Sequence, residues 1–128
     1  MSVSSPDILV GDDEAEIRDL LRISFETKGF AARVVCNGRE VLREMERQVP
    51  QLIVLDIDMP ELDGYHFLDH MRANAEWRNI PVIIISGLTK DSKKTEEWWA
   101  RELGVDAFFA KPFNPLKVIE KANDLLRR

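Results

Sequence analysis

Several polar and charged groups stand directly behind short apolar runs, and their chemistry is complementary. Asp12 and Asp13 follow Ile8-Leu9-Val10-Gly11, and Asp56 follows Leu52-Ile53-Val54-Leu55. Ser86 follows Val82-Ile83-Ile84-Ile85, and Lys111 follows the stretch Val105–Ala110. With Asp58 two residues beyond Asp56, a shared crevice would hold three or four carboxylates, one hydroxyl and one ammonium. Carboxylates crowded together raise one another's pKa values. A hard divalent cation relieves that repulsion, and oxygen-only ligands favour Mg²⁺ or Mn²⁺ over zinc. Mg²⁺ typically takes one or two carboxylates plus a phosphate, which leaves one carboxylate as a nucleophile. In that chemistry Lys111 clamps phosphoryl oxygens electrostatically, and the Ser86 hydroxyl donates to the same group.

The elements around these residues explain how they would meet. Unalternating apolar runs at 52–55 and 82–85 predict strands covered on both faces, as in the middle of a parallel sheet. Shorter strands are expected at 7–11, 31–36 and 105–110. A helix carrying Ile17, Leu20, Leu21 and Phe25 follows the first and ends at Gly29. Asn37 caps a helix with Val41, Leu42, Met45 and Val49 on one face, and Pro50 ends it. A third helix is expected within 61–75, entered through the turn Asp63-Gly64. A fourth is expected over 90–103 with Asp91 or Ser92 as cap, and a fifth begins at Asn114-Pro115. This β-α unit recurs five times, which predicts a doubly wound parallel α/β sheet with helices on both faces. All carboxyl ends of a parallel sheet share one edge, where such folds gather ligand groups.

Each group also has a plainer reading. Asp12-Asp13-Glu14 suits the acidic first turn of a helix, Ser86-Gly87 suits a turn, and Lys111 suits an exposed surface. These readings must all hold together to dismiss the constellation.

Composition narrows the function classes. The chain has 128 residues, 45% hydrophobic and 32% charged, as expected of one globular domain spanning 1–128 with a polar lead-in at 1–6 and no output domain. A formal charge of −5 disfavours direct binding to nucleic acid or anionic membranes. No apolar run approaches the length of a membrane helix, so membrane insertion is not expected. The single cysteine, Cys36, fits a reducing cytoplasmic location and a buried or half-buried side chain rather than a reactive thiol. His66 and His70 lack the carboxylate that would complete a zinc motif and read as a solvated helix face.

Four segments, ILVGDDE at 8–14, LIVLDIDMPELDGY at 52–65, VIIISG at 82–87 and DAFFAKPF at 106–113, together resemble a response-regulator receiver domain of two-component signalling, in the CheY-like family. They are spread over nearly the whole chain. The resemblance implies a (βα)5, flavodoxin-like receiver fold of strand order 2-1-3-4-5. It makes Asp56 the acceptor of a phosphoryl group from a histidine kinase or a histidine phosphotransfer protein. Mg²⁺ would be held by Asp13 directly, Asp12 largely through water, Asp56 and the backbone carbonyl of Asp58. Ser86 matches the hydroxyl that follows phosphorylation, Phe108 the switch aromatic, and Lys111 the phosphoryl-contacting lysine, whose bond to Pro112 is usually cis. The signalling surface would be the fourth helix, fifth strand and fifth helix, open to a downstream protein or to self-association. Self-phosphorylation and self-dephosphorylation with Mg²⁺ would replace turnover of a substrate.

Departures from the family pattern carry expectations of their own. Gly11 stands where a branched apolar residue is common, which would weaken the end of the first strand. Asp58 and Leu88 occupy positions implied to tune the phosphoryl lifetime, Asp58 by altering metal affinity or orienting the hydrolytic water. Phe108 lacks a hydroxyl, so its switch would work by packing alone. The segment Leu88–Glu97 is longer than the usual connection and precedes Trp98-Trp99. Adjacent tryptophans cannot both face the sheet squarely, so one belongs to a candidate interface. Two alternatives stay open: a receiver-like docking scaffold that is not phosphorylated, and an aspartate-nucleophile phosphatase of the haloacid dehalogenase type, whose D-x-D motif Asp56/Asp58 also resembles.

Overall fold

The computed structural model describes residues 6–87 and 93–127. In chain order the elements are β1 (Asp7–Gly11), α1 (Ala15–Thr27), β2 (Ala31–Val35), α2 (Gly38–Arg47) and β3 (Leu52–Asp56). They continue with α3 (Gly64–Ala73), β4 (Val82–Ser86), α4 (Glu96–Leu103), β5 (Ala107–Ala110) and α5 (Pro115–Leu126). The strands form one parallel sheet in the order β2-β1-β3-β4-β5. This is the order that the resemblance to a receiver domain implies.

Alternation along each strand divides the core between the two faces. Ile8, Val10, Leu52, Val54, Ile83 and Ile85 pack with Leu21 and Phe25 of α1 and Val118, Ile119 and Ala122 of α5. Leu9, Ile53, Leu55 and Ile84 pack with α2, α3 and α4 through Val41, Met45, Phe67, Leu68, Met71 and Leu103. Every residue of β3 and β4 is buried, which is why their apolar runs show no polar alternation. Some expected core positions face water instead: Leu20, Leu42 and Val49 are exposed.

Local chemistry sets the helix ends. Asn37 caps α2 by accepting from Glu40 N, and Asn114 caps α5 by accepting from Leu116 N, with Pro115 opening the helix. Asp63 accepts from Tyr65 N and His66 N, so α3 starts at Gly64, not at Glu61. The helix expected from residue 90 begins at Glu96, because Thr95 supplies the cap by accepting from Trp98 N. Asp91 and Ser92, the caps expected from sequence, lie outside the described residues. Gly104, at φ 70°, closes α4 in the left-handed region. β5 begins two residues later than expected, at Ala107, since Asp106 uses its carboxylate to accept from Val82 N.

Gly11 keeps its place in the sheet register, paired with Val35 and Leu55. A Cβ there would lie 2.8 Å from Leu55 Cδ1 and 3.0 Å from Met59 Cε, so the glycine leaves room for two core side chains. Gly38 permits a closer approach still. A Cβ on it would lie 2.2 Å from the backbone oxygen of Glu61, and its N–H donates to Pro60 O. The β3–α3 loop therefore rests on the first turn of α2. Glu61 in that loop has φ 58° and pairs with Arg39 at 3.1 Å. On the edge strand β2, Arg33 bonds both carboxylate oxygens of Asp7 and reaches Glu44 of α2.

Candidate functional site

The carboxyl ends of β1, β3, β4 and β5 bring the expected groups together. Asp12, directly after β1, is fully buried, and its Oδ1 accepts from Glu14 N at 2.8 Å. Arg18, one turn into α1, donates to the Asp12 carbonyl and fixes the backbone behind that carboxylate. Asp56 ends β3 at 3% exposure, with Oδ1 accepting from Asp58 N at 2.9 Å. Lys111 follows β5, and its N–H donates to Ser86 O at 2.8 Å, which seats the lysine beside β4. Its peptide bond to Pro112 is cis.

The ammonium is the hub of the site. Lys111 Nζ donates to Asp56 Oδ2 and to Glu14 Oε1, each at 2.8 Å. Asp12 Oδ2 lies equally close but outside hydrogen-bond geometry, and no hydrogen-bond partner satisfies it among the described residues. Burial pulls the Lys111 pKa down, but the carboxylates of Asp12, Asp56 and Glu14 outweigh it and hold the lysine well above its usual range. Burial raises the Asp12 pKa, offset only in part by Lys111.

Carboxylate oxygens of Asp12, Asp13, Glu14 and Asp56 lie within 4.8 Å of one another. The donors are all oxygen, one is buried and meets only the Lys111 ammonium among the described residues, and Asp13 and Glu14 open to solvent. That set fits a hard divalent cation rather than a thiophilic metal. Glu14 is the member that sequence reasoning missed. It reads as the third acid of a helix's first turn, and only the position of Lys111 distinguishes it from one.

Ser86 is 1% exposed and donates from Oγ to Asp58 Oδ2 at 2.8 Å. The Asp58 side chain is therefore turned toward β4 and is not among the clustered carboxylates. Partial burial raises its pKa; the Ser86 bond offsets this, and the charge on Asp56 adds to it.

Phe108 is buried in β5, and Trp99 of α4 stacks on it at 5.9 Å between ring centroids. Trp98 meets Trp99 edge-on at 5.0 Å, and the Lys94 ammonium sits over the Trp98 ring. Both tryptophans are half-buried, and the Trp99 Nε1 donor is buried without a hydrogen-bond partner among the described residues. Glu96 in the first turn of α4 accepts from Ala110 N, which ties this helix to the residue before Lys111. Leu88 lies outside the described residues. His66 and His70 are exposed; His66 pairs with Asp63, and His70 lies against Trp77. Among the described residues no helix is long and apolar enough to cross a membrane.

A five-stranded doubly wound sheet with an acidic pocket and a half-buried lysine at its carboxyl edge defines the class of a phosphorelay receiver. The model of the response regulator receiver domain matches residues 8–123, and the chain belongs to that family. It is 34% identical over 118 residues to an uncharacterised 14.6 kDa protein of Leptolyngbya boryana, covering 92% of this chain and 88% of the relative. It is 35% identical to the probable transcriptional regulator ycf27 of Porphyridium aerugineum, where 94% of this chain spans 48% of the relative. Among solved structures, the receiver domain of Francisella response regulator 1452 is similar at TM-score 0.84 and 33% identity, over 97% of this chain and 98% of that one. The chain thus spans nearly all of one such relative and about half of another.

Proposed function

We propose that Asp56 is the phosphoacceptor of this receiver and that the phosphoryl donor is a phosphohistidine on a histidine kinase or a phosphotransfer protein. The observation that carries the reading is the Lys111 ammonium, 2.8 Å from Asp56 Oδ2 inside a cluster of four carboxylates. An Asp56 oxygen attacks phosphorus, the O–P bond forms as the donor's P–N bond breaks, and the freed electron pair returns to the imidazole. Lys111 then stands where charge gathers on the transferring group. The Asp58 N–H, bonded to Asp56 Oδ1, keeps the carboxylate oriented for in-line attack.

Asp12, Asp13 and Asp56, with the backbone carbonyl of Asp58, would hold Mg²⁺ or Mn²⁺, and Glu14 is close enough to join them. Such an ion neutralises the carboxylates and the phosphoryl oxygens when bound. Without it, the anionic pocket would repel an incoming phosphoryl group.

The change spreads from Ser86 and Phe108 to α4, β5 and α5, the surface offered to a downstream protein or a second copy. Trp98 on α4 belongs to that surface. The reading covers one receiver domain over the described residues. Intact mass after incubation with Mg²⁺ and a small acyl phosphate tests it. A gain of one phosphoryl in the parent and none in Asp56→Asn is expected; equal gain in both, or in neither, would overturn it.

A further inference from the structure

Two neighbouring strand ends hold Ser86 and Asp58 together. Asp56 pairs with Ile85 in the β3–β4 register, and Ile57 N donates to Ile85 O at 3.3 Å. The Asp58 N–H is fixed on Asp56 Oδ1. Backbone bonds on either side thus bring the Asp58 carboxylate to the Ser86 hydroxyl, which donates to it at 2.8 Å across 28 residues of chain. With Ser86 at 1% exposure, water does not compete freely for that proton.

We propose that Asp58 is a latch that holds the Ser86 hydroxyl away from Asp56 until a phosphoryl group arrives. The inference rests on Asp56 being the phosphoacceptor and adds a regulator to that site. A serine hydroxyl has one proton to donate. When it bonds Asp58 it is not available to a group on Asp56, so the two acceptors compete for it. The Asp58 bond is charge-assisted, the stronger kind, and is given up whenever Ser86 turns to the phosphoryl. The latched state therefore lowers the apparent affinity of the pocket for a phosphoryl-like ligand in proportion to its population. Asp58 acts here as a positioning residue, through Ser86 and before phosphoryl transfer. That differs from control of hydrolysis afterwards.

The experiment is a double-mutant cycle on the affinity for beryllofluoride, an analogue of the phosphoryl group, with Mg²⁺ in excess. Bound fluoride is read by ¹⁹F NMR in the parent, Asp58→Ala, Ser86→Ala and the double variant. Asp58→Asn is added because its amide oxygen still accepts a hydrogen bond. Asp58 sits in a surface turn, so its variants are expected to fold, and circular dichroism checks this. Asp58→Ala should bind about tenfold more tightly than the parent, the size expected for releasing one charge-assisted hydrogen bond. Asp58→Asn should lie closer to the parent, and the double variant should bind no more tightly than Ser86→Ala. The same tightening with and without Ser86 would mean that lost charge repulsion is the cause, and that overturns the latch, as does no tightening at all. A parent protein that binds no beryllofluoride would instead remove the phosphoacceptor reading and the latch with it.

Discussion

Trp99 lies stacked against Phe108, their rings 24° from parallel, so a side chain of α4 reports directly on the packing of β5. Phe108 has no hydroxyl to anchor it, and its position depends on what fills the space around it. The Trp99 Nε1 is a buried donor with no hydrogen-bond partner among the described residues, so its environment is sensitive to repacking. Tryptophan emission should therefore shift on phosphorylation of Asp56. Trp99→Phe should abolish most of the shift while Trp98→Phe keeps it, and Trp77, buried against α3 and not part of this stack, supplies a constant background. A shift that survives Trp99→Phe unchanged would uncouple the stack from the switch.

Lys111 neutralises carboxylates that are otherwise buried together. Lys111→Met leaves Asp12 and Asp56 without their counter-charge, and the expected loss of stability is about 3–5 kcal/mol at neutral pH. Mg²⁺ at about one hundred times its dissociation constant should return roughly 2.7 kcal/mol of that. The ion should also bind the variant more tightly than the parent, where it competes with the ammonium. Urea unfolding with and without Mg²⁺ measures both effects.

Gly38→Ala tests the contact between α2 and the β3–α3 loop. Alanine improves helix propensity by about 1 kcal/mol over glycine. Its Cβ would meet the Glu61 carbonyl at 2.2 Å, backbone against backbone, and overpacking of that kind costs about 1–3 kcal/mol. The clash should win, giving a net destabilisation with a lower denaturation midpoint. An unchanged or raised midpoint would show that the loop yields freely.

Glu44 links stability to acid pH. Its hydrogen bonds to Arg47, and then to Arg33, overcome partial burial and hold its pKa down at about 2, below the ordinary 4.5. A carboxylate with a lowered folded-state pKa stabilises the protein above its unfolded value, and that contribution is lost as pH falls from 4.5 toward about 2. Glu44→Gln should flatten this part of the stability curve and leave its slope near neutrality unchanged. Thermal unfolding across the acid range, parent against variant, checks the sign.

Much of this architecture could be read from local pattern. The runs 52–55 and 82–85 declare central strands because burial on both faces removes every polar residue from them, and Asn37 and Asn114 declare their helices because each side chain satisfies a backbone donor at its own terminus. The start of α4 was not legible: the stretch from Thr89 to Thr95 offers several residues able to cap, and side-chain type alone does not choose among them. Glu14 and the Ser86–Asp58 bond were hidden for a different reason. Each depends on a partner brought close by the sheet, 97 and 28 residues away in the chain, and no spacing rule reaches that far. The exposure of Leu20 and Leu42 likewise follows from how the helices sit on the sheet and not from their periodicity.

The 97 residues between Glu14 and Lys111 have a consequence for how the molecule is made. A ribosome releases Asp12, Asp13 and Asp56 well before the strand that carries Lys111, and domains acquire native contacts only as their later segments emerge. A nascent chain therefore presents its acids with no ammonium among them and a sheet that still lacks its last strand. The acidic pocket therefore gains its ammonium only once β5 has emerged and paired with β4, late in the synthesis of this domain.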